Sequence, residues 1–336
     1  MQALLGKLIK GRDLTAAEAR EAFERIMSGQ AGEIEIAALL TALACKGECV
    51  DELVGAAEAM REKVTPVRCD DPDAVDTCGT GGDGISTFNV STASAIVAAA
   101  AGATVAKHGN RTNTRVSGSA EALDALGVNI TADVPVVERC LREVRIGFLF
   151  APSLHPAMKY AVPVRKALGI RTIFNLLGPL TNPAGVRCQV MGVPRPELTE
   201  TMVSVLDRLG AVRAMVVHGG GGLCDLTISG PSRISELRDG KIETYTIEPE
   251  TFGLARGSLD DLKVDSPAAS AAVIREVLAG KRGPCRDIVL LNAGAALVVA
   301  NRAEDLAEGV ARAADAVDSQ AAAETLAKLA RLSQGS

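Results

Sequence analysis

The sequence has 336 residues, of which 47% are apolar and only 2% aromatic, and its formal net charge is -5. This length suits one large domain or two modest ones, with a core built mainly from aliphatic side chains. The acidic balance argues against nucleic acid as a partner, because proteins that bind it usually carry a basic surface. None of the eight cysteines forms a C-x-x-C pair, and the apolar run at 95–106 is too short to span a bilayer. We therefore expect a reduced, cytoplasmic protein that binds neither nucleic acid nor membrane.

The first 65 residues are predicted to be helical. Thr15 and Glu18 have the spacing of a capping box, so a helix is expected to run from there toward Met27. Two further helical stretches follow at 34–45 and 51–63. A polar run with two prolines at 66–72 then predicts a linker.

From residue 73 onward, short apolar runs alternate with helical ones. Such alternation predicts a mainly parallel sheet with crossover helices. Strands are expected at 74–78, 103–106, 146–150, 188–192 and 214–218, with smaller antiparallel strands at 226–229, 233–237 and 242–247. Helices are expected at 92–101, 121–126, 136–144, 197–209, 270–279, 286–299 and 303–332.

A helical segment at 156–177 interrupts this alternation and ends in a turn-rich stretch. We expect it to pack with the N-terminal helices. The predicted fold is therefore α/β, with a small α-helical domain (1–69 with about 155–182) beside a larger α/β domain (70–154 and 183–336). A cleft between two such domains is a common place for a ligand.

The stretch DTCGTGGDGISTFNVST at 76–92 contains G-x-G-x-x-G, with glycines at 79, 81 and 84. A dinucleotide site is disfavoured, because ISTFN separates the glycines from the next helix and because Lys107, not an acid, lies at the end of the second strand. No G-K-[ST] follows, so the loop is not a Walker A motif either.

An anion site fits the loop better. Glycines let backbone N–H groups approach a phosphate, and Asn89, Ser91 and Thr92 lie at the start of the next helix. The alternative is an ordinary glycine-rich turn before a capped helix. Asp83 would repel a bare phosphate, so it indicates either ribose hydroxyls or Mg²⁺ nearby, or an Asx-turn that only shapes the loop.

Several long motifs occur in order along nearly the whole chain. They are GTGGDG at 79–84, TFNVST at 87–92, KHGNR at 107–111, HPAMKYAVPVRKALGIRTIFNLLGPLTNPAG at 155–185 and LLNAGAAL at 290–297, together with KGE at 46–48. The sequence in this respect resembles the anthranilate phosphoribosyltransferases. The resemblance implies a helical domain beside an α/β domain, paired as a homodimer through the helical domains. It also implies an Mg²⁺-dependent reaction of tryptophan synthesis, in which anthranilate attacks C1 of 5-phosphoribosyl-1-pyrophosphate and pyrophosphate leaves.

The resemblance also implies a set of site residues. Those for 5-phosphoribosyl-1-pyrophosphate would be Gly79, Gly82, Asp83, Thr87, Asn89, Val90, Ser91, Thr92, Lys107, His108, Gly109, Asn110, Arg111 and Ser119. Those for anthranilate would be Gly79, Asn110 and Arg165, and those for the metal would be Ser91 and Asp225. No residue is assigned as a certain catalyst, and Lys107 would stabilise charge. Each has an ordinary alternative: Lys107 as a solvated lysine at a strand end, His108 as a structural histidine and Arg165 as a surface cation. Only the resemblance raises Arg165 to a ligand, and His155 and His218 are taken as structural.

The sequence departs from the family pattern at three places. Leu154 replaces the first of two histidines before Pro156, and the loop at 112–116 is bulkier and carries a cation. Cys224-Asp225 replaces the Asp-Glu pair that normally holds Mg²⁺.

Two rival functions follow from these departures. One is a related phosphoribosyltransferase or nucleoside phosphorylase with another acceptor, against which Arg165, Asn110 and NLLGPLTNP argue. The other is a non-catalytic relative that binds nucleic acid, against which the net charge of -5 argues.

Overall fold

The computed structural model describes residues 1–112 and 116–335. Four helices open the chain: α1 (Gln2–Leu8), α2 (Ala16–Met27), α3 (Glu33–Lys46) and α4 (Val50–Arg61). The predicted capping box at Thr15 and Glu18 is confirmed at the start of α2. Ala19, Phe23 and Ile26 recur at helical spacing and are all buried, so α2 packs through one apolar face.

The remaining helices surround a sheet. They are α5 (Val90–Ala100), α6 (Ser119–Ala125), α7 (Val134–Val144), α8 (Ala151–Leu154), α9 (Val162–Leu168), α10 (Phe174–Leu177), α11 (Leu198–Arg208), α12 (Pro267–Leu278), α13 (Pro284–Val299), α14 (Leu306–Asp318) and α15 (Ala321–Ser333). Short 3₁₀ turns lie at Pro156–Tyr160, Gly178–Leu180, Pro249–Phe252 and Leu259–Leu262. Within the described residues, none of the helices is both long and apolar enough to traverse a bilayer.

In the part of the chain that the structure describes, seven strands form one sheet in the order β3-β2-β1-β4-β5-β6-β7. They are β1 (Val75–Asp76), β2 (Val105–Gly109), β3 (Ile146–Phe150), β4 (Cys188–Gly192), β5 (Arg213–Gly219), β6 (Ser232–Arg238) and β7 (Lys241–Ile247). The first five strands are parallel, and β5, β6 and β7 pair antiparallel. The predicted α/β fold class, with a helical N-terminal part and a mainly parallel sheet, is confirmed.

Apolar cores lie on both faces of this sheet. Along β5, Met215 and Val217 belong to the core with α5 and α13, whereas Ala214 and Val216 belong to the core with the N-terminal helices. This alternation follows from the two-residue period of a strand. The N-terminal core also takes in residues of α9, α10 and α11. The segment at 156–177 thus packs with the N-terminal helices as expected, while the domain boundaries at 69, 155 and 182 remain a prediction.

The strand predicted at 226–229 is wrong. The backbone there bonds to side chains and not to a neighbouring strand: Leu226 N donates to Asn292 Oδ1 over 2.9 Å, and Leu226 O accepts from Asn292 Nδ2 over 2.8 Å. Thr227 N donates to Ser232 Oγ over 2.9 Å. These bonds satisfy the groups that a ladder would otherwise use. The helical run predicted at 303–332 is divided into α14 and α15 by Gln320, whose φ of 67° is left-handed.

Candidate active site

The glycine loop follows β1 at the centre of the sheet. The chain runs outward from β1 through β2 to β3 and returns to β4 on the other side of β1. Ligands of open α/β sheets bind at the carboxyl ends of the strands where the order reverses in this way. Thr80 N donates to Gly192 O, at the end of β4, over 2.9 Å. A Cβ at Gly79 would lie 2.8 Å from that same oxygen, so only glycine fits there.

Asn89 caps the helix that follows the loop. Its side chain accepts from Thr92 N over 3.0 Å, as predicted for a helix start at this place. Ser91 Oγ donates to Asn89 Oδ1 over 3.4 Å. The hydroxyls of Thr87 and Thr92 are buried and have no hydrogen-bond partner among the described residues. Hydroxyl groups and the helix N-terminus therefore lie together beside the loop.

Lys107 places a buried cation next to this helix start. Its side chain is 2% exposed, and Nζ donates to Thr77 Oγ1 over 3.1 Å and to Ser91 Oγ over 3.3 Å. Burial lowers the pKa of Lys107, while the neighbouring ionisable groups of Cys78, Asp76 and Asp225 oppose that shift. A buried ammonium whose hydrogen bonds go to neutral hydroxyls can take an anionic ligand.

Asp76 supports the floor of the site. It is fully buried and accepts from His108 N over 3.1 Å and from Asn182 Nδ2 over 2.8 Å. Burial raises the pKa of Asp76 to about 6, and Lys107 opposes the rise. Asn182 also donates to Ala106 O over 2.9 Å. The GPLTNPAG stretch is thereby fixed to β1 and β2.

His108 and His155 form a pair at the end of β2. Their Nε2 atoms are 3.1 Å apart, so one ring donates and the other accepts. Burial lowers the pKa of His108 to about 3, with the neighbouring His155 as the next cause. Burial also lowers the pKa of His155 to about 4. Both rings are therefore neutral at neutral pH.

Arg165 lies on α9, in the segment that interrupts the α/β pattern. Its guanidinium carbon is 5.1 Å from the centre of the Phe174 ring, and burial lowers its pKa. Within residues 1–112 and 116–335, no carboxylate forms an ion pair with it. A partly buried arginine stacked in this way can bind a ligand carboxylate with two parallel hydrogen bonds.

Cys224 and Asp225 follow β5 and meet the glycine loop. Cys224 N donates to Asp83 Oδ2 over 3.1 Å, and Asp83 Oδ1 accepts from Ile85 N over 3.2 Å. The second bond is that of an Asx-turn, so Asp83 does shape the loop. The first bond ties the loop to the strand end that carries Asp225.

One cavity of about 940 Å³ joins most of these groups. The predicted residues that line it are Gly79, Gly82, Asn89, Ser91, Lys107, His108, Gly109, Asn110, Arg111, Ser119, Arg165, Cys224 and Asp225. Four predicted residues are not among its lining: Asp83, Thr87, Val90 and Thr92. Residues 113–115 of the loop that we singled out lie outside the described residues.

Comparison with known proteins identifies the family. Residues 71–323 match the a/b domain of a glycosyl transferase family, and residues 2–64 match the helical bundle domain of a glycosyl transferase family. The chain is 52% identical over 326 residues to the anthranilate phosphoribosyltransferase of Moorella thermoacetica, covering 97% of this chain and 96% of that protein. The chain belongs to the anthranilate phosphoribosyltransferase family.

Solved structures of anthranilate phosphoribosyltransferases share the fold. The enzyme from Thermus thermophilus superimposes with a TM-score of 0.93 at 42% identity, covering 98% of this chain and 99% of that chain. The enzyme from Saccharomyces cerevisiae, solved in complex with PRPP (5-phosphoribosyl-1-pyrophosphate) and Mg, gives a TM-score of 0.89 at 27% identity, covering 100% of this chain and 98% of that chain.

Sequence reasoning missed two side chains of this candidate site. Arg171 lines the cavity, and its Nη1 donates to the carbonyl of Gly82 over 3.2 Å. Asn182 holds Asp76 from behind. Both lie in the long family motif at 155–185, but their contacts are with residues 89 and 106 positions away. Contacts between residues so far apart along the chain cannot be predicted from a local pattern in a single sequence.

The donor set fits Mg²⁺, with one exception. Ser91 Oγ and the Asp225 carboxylate line the same cavity, and oxygen is the ligand that Mg²⁺ prefers. Cys224 offers sulfur, which suits this hard cation poorly. Of these three side chains, Ser91 and Asp225 are therefore the ones whose oxygen atoms suit the ion.

Proposed function

We propose that this protein transfers the phosphoribosyl group of 5-phosphoribosyl-1-pyrophosphate to the amine of anthranilate. The products are N-(5-phosphoribosyl)anthranilate and pyrophosphate, in tryptophan biosynthesis. One observation carries the proposal: the same cavity contains two places for negatively charged groups. One is the glycine loop with the buried Lys107, and the other is Arg165, which has no acidic partner in the described chain. The family membership agrees with this pairing of a diphosphate and a carboxylate.

The glycine loop, the start of α5 and Lys107 serve the leaving pyrophosphate. Backbone N–H groups of the loop and the Lys107 ammonium stabilise the negative charge that develops as the C1–O bond breaks. When bound near Ser91 and Asp225, Mg²⁺ neutralises pyrophosphate further. We propose Ser91 and Asp225 as the ligands of the metal, and the individual residues of the glycine loop as contacts of the pyrophosphate.

Arg165 and Asn110 serve the acceptor. Arg165 holds the anthranilate carboxylate, which orients the amine toward C1 of the ribose. The attacking amine is an aniline and is neutral at pH 7, so no strong base has to activate it. His108 and His155 are neutral as well, so they add no positive charge beside the carbon that becomes cationic. Catalysis is then mainly positioning and charge stabilisation.

A pyrophosphate-release assay with and without anthranilate tests the proposal. We expect release that depends on both substrates and on Mg²⁺. Release that needs a different acceptor would support the related-transferase alternative, and no release with any acceptor would support a non-catalytic relative. Complementation of a strain that lacks the enzyme provides an independent test in the cell.

We also propose a homodimer formed through the helical domains, in the cytoplasm. The helical part exposes large apolar side chains, with Ile9 76% and Ile34 87% exposed. Sedimentation of the purified chain would show a monomer if the dimer proposal is wrong.

A further inference from the structure

Three potential metal ligands meet where β1 and β2 end. A carboxylate oxygen of Asp76, the sulfur of Cys78 and a ring nitrogen of His108 all lie within 4.8 Å of one another. Cys78 and His108 line the cavity, and Asp76 lies buried behind them. The proposed transfer reaction uses none of the three as a metal ligand.

His108 has one ring nitrogen available. Its Nε2 lies 3.1 Å from Nε2 of His155, whereas Nδ1 is buried and makes no hydrogen bond of good geometry among the described residues, with the backbone of Gly178 near the ring. A metal-bound imidazole commonly binds the ion with one nitrogen and donates the other N–H to a supporting group. With Nδ1 as the ligand atom, His155, which contacts Nε2, would be that supporting group.

We propose that Asp76, Cys78 and His108 bind a borderline-soft divalent cation, with Zn²⁺ as the best match. Zn²⁺ accepts sulfur, imidazole nitrogen and carboxylate oxygen, whereas Mg²⁺ prefers oxygen alone. Zinc–ligand bonds of about 2.0–2.3 Å require the three atoms to move somewhat closer together. On binding, the Cys78 thiol gives its proton to solvent and its sulfur bonds to the metal. The fourth position is left for water or a ligand in the cavity.

The existing contacts of these groups allow binding. Asp76 accepts one hydrogen bond at each oxygen, and each carboxylate oxygen has a second lone pair. The Cys78 sulfur makes only a weak contact of 3.7 Å with Gly79 O. Lys107 is nearby, but its hydrogen bonds go to Thr77 and Ser91. Its positive charge repels the metal, so we expect weaker binding than at a zinc site without an adjacent cation.

A second cluster has similar residue types, but its lysine contacts the acidic side chains directly. Asp13, Cys49 and Glu52 also lie within 4.8 Å of one another. There, Lys46 Nζ lies 2.6 Å from Asp13 and 3.0 Å from Glu52, so an ammonium group already occupies the acidic ligands. This cluster is therefore a matched control that should not bind the metal.

The expected consequence is inhibition. A metal bound to His108 and Cys78 would hold these two residues in place at the start of the glycine loop. The proposed binding place of the substrate pyrophosphate is at this same loop. Zn²⁺ should therefore compete with 5-phosphoribosyl-1-pyrophosphate, and this consequence rests on the proposed function.

The binding test uses Co²⁺ alone with the full chain, without substrates. We expect one equivalent to produce a thiolate-to-cobalt absorption that Zn²⁺ abolishes. Cys78→Ser should remove the absorption, and Cys49→Ser should keep it. An absorption that survives Cys78→Ser, or none in the natural chain, would overturn the proposal. Zinc-edge X-ray absorption of the natural chain needs no variant, and a shell without sulfur would overturn it too.

The inhibition test measures pyrophosphate release at fixed Mg²⁺ over a range of Zn²⁺. Loss of even a supporting group costs about 10–100-fold in metal affinity, so Cys78→Ser should need at least about tenfold more Zn²⁺ for the same inhibition. Chelation of Zn²⁺ by the substrate is equal for both proteins. If the chain binds cobalt but has no transferase activity, the proposed function is contradicted and the metal site is not. If the chain is active but does not bind cobalt, the metal site is contradicted and the proposed function is not.

Discussion

At the scale of single residues, the buried position of Lys107 beside the glycine loop predicts a large loss of activity when the lysine is replaced. Lys107→Met removes the cation beside the leaving group while it keeps the length of the side chain. We expect kcat/KM for 5-phosphoribosyl-1-pyrophosphate to fall by about one to three decades, the range for single charge-stabilising groups. Lys159→Met is the control, because Lys159 lines the same cavity but its Nζ lies over the Tyr160 ring, 5.0 Å from the centroid. Near-normal activity of Lys107→Met would refute the role.

Arg165 should affect the other substrate. Arg165→Ala removes a hydrogen-bonded charge partner, and such bonds contribute about 1.5–3 kcal/mol. We therefore expect KM for anthranilate to rise by about tenfold to a hundredfold, with a much smaller change in KM for 5-phosphoribosyl-1-pyrophosphate. Steady-state kinetics with each substrate varied in turn would separate the two effects. An equal change in both, or none, would count against the assignment.

Cys224 and Asp225 should set the demand for Mg²⁺. A thiol removes one oxygen ligand and one negative charge, and Asp225 reaches less far than a glutamate would. The double substitution Cys224→Asp with Asp225→Glu should lower the Mg²⁺ concentration for half-maximal rate. Titration of Mg²⁺ against activity for both proteins gives the answer. If the half-maximal concentration does not fall, Cys224 is only a small packed residue.

At the scale of elements, the glycine loop is fixed from across the cavity by the segment between α9 and α10. Gly82 has a φ of 86°, and a Cβ there would lie 1.5 Å from Nη1 of Arg171. Gly82→Ala should therefore displace the arginine and strain the backbone, and raise KM for 5-phosphoribosyl-1-pyrophosphate. Gly81→Ala is the matched control, since its φ is 61° but nothing lies within 4 Å of the added Cβ. Equal kinetic effects of the two substitutions would show that the Arg171 contact is unimportant.

The elements also show what the sequence could predict. Elements with a strong hydrophobic pattern, such as the continuous apolar run of β3 and the amphipathic helix α7, were predicted within two residues, because burial of apolar side chains dictates them. The apolar run at 226–229 was misread because Asn292, 66 positions away, satisfies its backbone. The glycine loop, Lys107 and Arg165 could be singled out from motifs. Their convergence on one cavity depends on the strand order, which no local pattern contains.

At the scale of the whole molecule, buried titratable groups should set the stability below neutral pH. His108 and His155 have lowered pKa values of about 3 and about 4, so between those values and the ordinary 6.5 the unfolded chain binds protons that the folded chain does not. Each therefore reduces stability as pH falls. Asp76, with its pKa raised to about 6, has the opposite sign between 6 and its ordinary 3.8.

The balance of these groups predicts a slope. From pH 6 down to about 4, these three groups by themselves give two losses and one gain, a net loss of about 1.4 kcal/mol per pH unit. Urea unfolding at several pH values measures it. His155→Gln should flatten the slope in this range, and Asp76→Asn should steepen it. A slope that neither substitution changes would show that other groups control acid stability.

The packing of the N-terminal helices on a later segment has a consequence for synthesis of the chain. α2 packs chiefly on α4, but the ring centres of Phe23 and Phe174 are 5.5 Å apart, so this aromatic contact of α2 forms only after about 150 more residues have been made. At about 5–20 residues per second, the wait on the ribosome is roughly 8–30 seconds. During that interval the helices at 16–61 expose an apolar face in a crowded cell. A chaperone that recognises apolar surface can therefore bind these helices on the nascent chain. The chaperone is expected to dissociate when the segment that contains Phe174 emerges and covers the same surface.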